Sequence, residues 1–178
     1  MMNEEREYVF KITLLGDAAV GKTSLINQFV ENTFQEDYKP TLGANIIRKD
    51  VILEEFNAKC RLIVWDLAGQ EKYNVVRSLY YQGCVGALLV YDITRAVTFE
   101  NIESKWLNDF KKYVKKDGVY LLIGNKSDLN EQRVIQTSDG NKLAEKIKAS
   151  KFIETSAKFG ENVNNAFKTL VYQILENQ

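Results

Sequence analysis

The chain has 178 residues, with 24 basic and 24 acidic side chains, so it lacks the basic excess of a general nucleic-acid binder. It contains no histidine, which excludes Ser-His and Cys-His nucleophile pairs and any His-ligated metal. The hydrophobic share of 45% and charged share of 27% fit one soluble globular domain spanning residues 1–178. Cys60 and Cys84 lie in apolar segments and read as buried free thiols of a cytosolic protein. Residues 1–7 lack the apolar core of a signal peptide, and no apolar run reaches the length needed to span a bilayer.

Residues 8–15 are rich in β-branched and aromatic side chains and predict a strand. Gly16-Asp17-Ala18-Ala19-Val20-Gly21-Lys22-Thr23 follows, and it fits the phosphate-loop pattern of two spaced glycines followed by Lys and a hydroxyl residue. Residues 24–30, beginning at Ser24, predict a helix. The glycines let successive N–H groups converge, and the helix N-terminus adds partial positive charge. Lys22 is expected on the outer phosphates. The Thr23 hydroxyl is expected on Mg²⁺.

Residues 33–43 are polar, carry the only proline and lack periodicity. Such a long loop tends to be functional. Residues 44–54 and 59–65 predict a hairpin turning near Asn57. Asp66 is expected to break the second strand, with an irregular helix to about Tyr81. Residues 86–91 form a continuous apolar run, as in a strand buried on both faces. Thr98 is expected to cap the next helix. Its apolar stripe is Phe99, Ile102, Trp106, Leu107, Phe110 and Val114, and Lys111, Lys112, Lys115 and Lys116 read as its solvated end. Residues 119–124 predict another buried strand. Thr137 is expected to cap a helix to about Ser150, residues 152–154 to form a brief strand, and a last helix to begin near Val163. Alternating strands and helices imply a mostly parallel sheet with helices on both faces and the antiparallel hairpin at one side. The polar loops then gather at the C-terminal edge of the sheet.

Those loops carry further chemistry. In Asn125-Lys126-Ser127-Asp128, the Asp128 carboxylate can accept from both adjacent donors of guanine, whereas adenine presents an acceptor there. Asn125 can tie the loops together, and the Lys126 stem can pack along a purine ring. Ser156, Ala157 and Lys158 offer backbone N–H groups for the guanine carbonyl. Asp66 suits Mg²⁺, directly or through water, and Thr41 could add a second hydroxyl. Gly69 allows close approach to a terminal phosphate. Gln70 suits orienting a water.

Taken together, this ordered set resembles the small GTPases of the Ras superfamily over nearly the whole chain. Trp65-Asp66, Tyr80-Tyr81-x-Gly83 and Tyr91-Asp92-Ile93-Thr94 look most like the Rab branch. The resemblance implies the α/β small-GTPase fold, a six-stranded mostly parallel sheet with one antiparallel hairpin strand and helices on both faces. It implies bound GTP or GDP with Mg²⁺, slow hydrolysis, and rearrangement of residues 34–43 and 66–80 on hydrolysis. It implies nucleotide contacts from residues 17–24, Phe34, Tyr38, Thr41, Gly69, Asn125, Lys126, Asp128 and residues 156–158, with Phe34 against the base. Metal contacts fall to Thr23, Thr41 and Asp66, and catalysis to Gln70, Lys22 and Gly69.

A GTPase-activating protein, an exchange factor and effectors are expected on residues 34–46 and 65–80. A cytoplasmic monomer is expected, peripheral to membranes only through a lipidated C-terminal tail not present in this chain. The sequence departs from the Rab pattern at Asn45-Ile46, Leu67, Lys72 and Ala18-Ala19. A P-loop kinase would need an arginine-rich acceptor lid, and the arginines here are scattered. A non-hydrolysing GTP-dependent binding module is the remaining alternative.

Overall fold

A computed structural model describes residues 6–36, 41–67, 79–114 and 118–178. Strand β1 (Arg6–Leu15) is exposed along its first half and buried along its second, where the sheet is covered on both faces. Helix α1 (Lys22–Glu31) ends at Asn32, whose left-handed φ of 55° suits an asparagine C-cap. Strands β2 (Ala44–Leu53) and β3 (Ala58–Leu67) pair antiparallel. A short 3₁₀ turn (Glu54–Phe56) and left-handed Asn57 reverse the chain between them.

Strand β3 continues through Asp66, which pairs with Asn45 on one side and Leu14 on the other. The expected break at Asp66 is therefore corrected: the polar residue is buried within the strand end. The irregular helix expected beyond it falls largely on residues 68–78, outside the described residues. One helical turn is seen at residues 79–81.

Strand β4 (Cys84–Asp92) leads into α2 (Ala96–Asn101), a π-helical stretch (Ile102–Leu107) and α3 (Asn108–Tyr113). The helix starts before Thr98, against expectation. The Thr98 hydroxyl accepts from Asp92 N–H at 3.0 Å and donates to the Arg95 carbonyl at 2.8 Å, bracing the turn from inside. Strand β5 (Val119–Asn125), a 3₁₀ segment (Ser127–Gln132), α4 (Thr137–Ile147), β6 (Phe152–Thr155) and α5 (Val163–Glu176) complete the chain. Gln136, one residue before Thr137, caps α4 through a reciprocal capping box with Asp139. Lys111 and Lys112 are exposed, as a solvated face requires, while Lys115 and Lys116 lie outside the described residues.

The six strands run in the order β2-β3-β1-β4-β5-β6, with only β2–β3 antiparallel. One apolar layer joins the sheet to α1 and α5 through Leu25, Ile26, Phe29, Phe167, Leu170 and Val171. Phe29 and Phe167 stack with centroids 4.0 Å apart, so Phe167→Ala would cost about 3–5 kcal/mol. The opposite layer carries Trp106, Phe110, Leu143 and Ile147. Because β1, β3, β4, β5 and β6 share one direction, the segments after Leu15, Leu67, Asp92, Asn125 and Thr155 emerge at one edge.

Candidate functional site

The turn after β1 curls because two of its glycines stand where no side chain fits. A Cβ on Gly16 would meet the Val90 carbonyl oxygen at 2.1 Å, and one on Gly21, with φ of 99°, would meet Asn125 Nδ2 at 2.3 Å. Ala19 is left-handed too, with φ of 61°, a conformation that costs an L-residue about 1–2 kcal/mol. The curl opens α1 toward a cavity of about 430 Å³. Lys22 Nζ reaches back across it and donates to the carbonyls of Gly16 and Asp17, both at 2.8 Å. An ammonium beside a helix N-terminus is an arrangement that suits a phosphate.

Beside it stand three oxygen-bearing side chains. Thr23 Oγ1 donates to Asp66 Oδ2 at 2.6 Å and lies 2.8 Å from Thr41 Oγ1. Asp66 is 1% exposed, and its Oδ1 is buried without a hydrogen-bond partner. Burial pushes its carboxyl above the usual 3.8, opposed by the Thr23 hydrogen bond and by Lys22. A hard divalent cation matches that donor set and would offset the burial of the charge. Among the described residues no cluster of three or more Cys, Asp or Glu could hold an ion unaided. The oxygens of Thr23, Thr41 and Asp66 fit Mg²⁺ as partial ligands that would hold it beside a phosphate.

The far end of the cavity is built on β5 and β6. Asn125, 1% exposed, donates from Nδ2 to the Val20 carbonyl at 2.9 Å. Its Oδ1 accepts from Thr155 Oγ1 at 3.0 Å and Ala157 N–H at 3.3 Å. One amide thus joins three loops, the role its position suggested. Ser156 donates to Asp128 Oδ1 at 2.6 Å, which orients that carboxylate. The Lys126 ammonium sits 2.7 Å from Asp92 Oδ2, so its stem is held along the cavity wall.

Of the residues singled out from sequence, Ala18, Ala19, Gly21, Lys22, Thr23, Ser24, Phe34, Thr41, Asn125, Lys126, Asp128, Ala157 and Lys158 line this one cavity. Val20, Asp66 and Ser156 stand behind the wall as buried supports. Asp17 turns its carboxylate away, to Asn101 and Trp106. Tyr38, Gly69 and Gln70 lie outside the described residues.

Sequence reasoning missed Asp92 and Arg95. Asp92 accepts from Thr94 at 2.9 Å (backbone) and 2.7 Å (hydroxyl), from Arg95 Nε at 3.1 Å, and pairs with Lys126. Burial alone would raise its carboxyl; the bonds to Lys126 and Thr94 outweigh that and hold it below 3.8. Arg95 also donates to the Ala18 carbonyl at 3.0 Å. The Asp-x-Thr spacing of an Asx turn was the available signal. Glu36, also missed, lines the rim and approaches Lys158 at 3.5 Å.

The family model described as "Ras family" matches residues 11–176. Ras-related protein RABA4b of Arabidopsis thaliana is 45% identical over 168 residues, covering 94% of this chain and 73% of that protein. Ras-related protein RABA6b of the same plant is 42% identical over 174 residues, covering 98% and 74%. Ras-related protein Rab-11C of Dictyostelium discoideum is 42% identical over 173 residues, covering 96% and 75%. The chain belongs to the Ras family as a Rab-like small GTPase: a switch of vesicle trafficking that binds GTP and GDP with Mg²⁺, hydrolyses GTP, and works through regulators and effectors.

Proposed function

We propose that residues 1–178 act as a single switch domain whose nucleotide lies along the cavity from Lys22 to Asp128. The convergence of Lys22, Thr23, Thr41 and the unpartnered Asp66 oxygen carries this reading. The backbone of residues 17–21, with Lys22 and Ser24, holds the phosphates. Thr23, Thr41 and Asp66 hold Mg²⁺, which supplies charge neutralisation at the phosphates when bound. Asp128 selects guanine, Lys126 and Phe34 flank the ring, and Asn125 with residues 156–158 fixes the loops around it. Gln70 orients the attacking water, Gly69 approaches the terminal phosphate and Tyr38 contacts the nucleotide.

Regulators and effectors dock on residues 34–46 and 65–80. Leu42, Ile46 and Leu79 are exposed there, and Trp65 and Tyr80 pack with centroids 5.5 Å apart. The chain acts as a monomer. Among the described residues no helix is long and apolar enough to cross a membrane, and both cysteines are buried.

Base selection is the direct test. Asp128→Asn replaces one acceptor by a donor that faces a donor of guanine. Guanine nucleotide should lose about 1.5–3 kcal/mol of binding, while xanthine nucleotide should bind the variant better than guanine does. Equal GTP affinity in wild type and Asp128→Asn would overturn the assignment.

A further inference from the structure

Asp17 is an acidic side chain inside a loop built to hold anions. Left to itself, its carboxylate would repel the phosphates that the same loop binds. It is instead bound on both oxygens by groups from a distant helix. Trp106 Nε1 donates to Oδ1 at 2.7 Å, and Asn101 Nδ2 donates to Oδ2 at 2.7 Å. The next residue is tethered as well, through Arg95 to the Ala18 carbonyl at 3.0 Å.

The backbone geometry of that helix makes the double contact possible. Asn101 and Trp106 are five positions apart. At 3.6 residues per turn they would point about 140° away from each other. A π-helix bonds residue i to i+5 and brings that spacing onto one side. The π-helical stretch Ile102–Leu107 starts directly after Asn101 and contains Trp106, and it is flanked by α-helix at each end. π turns are rare and concentrate at functional positions. Trp106 is 2% exposed, so its ring is anchored in the core while its N–H serves the loop.

We propose that Asn101 and Trp106 are positioning residues for the nucleotide. They hold the Asp17 carboxylate away from the phosphates, and the π-helical stretch is the device that aims both donors. This rests on the backbone of residues 17–21, with Lys22 and Ser24, holding the phosphates, as proposed above. The consequence is a nucleotide release rate set by a helix that does not touch the nucleotide. A partner that shifts α2 or α3 by a fraction of a turn would free the carboxylate and speed release.

The test is release of fluorescent GDP from purified full chain. Trp106→Phe keeps the ring and its packing and removes the donor. Release should rise about tenfold, the loss of one hydrogen bond to a charged group. Adding Asp17→Asn in the same chain removes the charge and should return release to near the wild-type rate. A merely structural role for Trp106 predicts no such rescue. Asn101→Ala, at a half-buried position, provides the same readout if Trp106→Phe folds poorly. Unchanged release in these variants, or a double variant as fast as Trp106→Phe alone, overturns the inference. Wild-type protein that fails to bind GDP would overturn the phosphate-loop reading itself, and the inference with it.

Discussion

Asn125 and Val20 are joined by a hydrogen bond of 2.9 Å across 105 positions of sequence. The bond places a side chain of β5 on the backbone of the phosphate loop, in a buried position where water cannot substitute. Asn125→Ala removes this bond and leaves the Thr155 hydroxyl and Ala157 N–H without their acceptor. The expected cost is about 3 kcal/mol, from three bonds at about 1 kcal/mol each. Denaturant unfolding should show it, and GDP affinity should fall because both ends of the cavity loosen together. A variant as stable as wild type would mean that the loops hold their places without this amide.

Asp92 makes stability depend on acid. Its carboxyl lies below 3.8 in the fold, so the unfolded chain takes up its proton first as pH falls. The stabilisation is present in full above pH 3.8 and is lost as pH drops through the lower folded value. Asp92→Asn should lower stability at pH 7 by about 1.5–3 kcal/mol, the range for hydrogen bonds to a charged group. Urea unfolding of wild type and variant should differ at pH 7 and converge in strong acid. A gap that stays constant with pH would argue that Asp92 acts by packing alone.

Ala19 stores strain. Its left-handed φ of 61° is one that glycine adopts freely. Ala19→Gly should raise stability by about 1 kcal/mol, the released strain less the extra freedom of the unfolded chain. Unfolding of the GDP-bound protein in denaturant measures it. An unchanged or lower midpoint would show that the turn is not strained.

Unaided hydrolysis should be slow, because the phosphoryl-transfer chemistry draws on an arginine to offset developing charge. Among the described residues Arg95 is the one that reaches the phosphate loop, and its guanidinium is committed to Asp92 and the Ala18 carbonyl. Turnover on the order of 10⁻⁴–10⁻² s⁻¹ is expected, with an arginine supplied by a partner raising it by about 10³–10⁵. Gln70→Leu should lower it further at nearly unchanged GTP affinity. Phosphate release from bound GTP checks both; an active Gln70→Leu protein would mean that another residue orients the water.

Periodicity and punctuation carried much of the architecture. The apolar run at residues 86–91 and the last helix expected from near Val163 appear as β4 and α5. Asp66 misled because a buried carboxylate reads as a loop residue until its strand partners are known. Thr98 and Thr137 misled by the same rule: a hydroxyl favours a cap, yet the turn before Thr98 and the Gln136–Asp139 pair begin their helices earlier. The cavity lining was legible because each loop carries its own short motif. The supports behind it were not. Asp92, Arg95, Asn101 and Trp106 act on partners up to 89 positions away, and only the register of the sheet and the π-helical stretch bring them there.

The sheet order has a consequence for synthesis. The phosphate loop leaves the ribosome before the strand that carries Thr155, Ser156 and Ala157 to the cavity, which is the last of the six strands. A nascent chain can form β1 through β4 and still lack the far wall. Nucleotide stabilises only the state it binds, so its contribution arrives in one step, after β6 docks on β5. Chains truncated before β6 should therefore gain nothing from GDP against proteolysis.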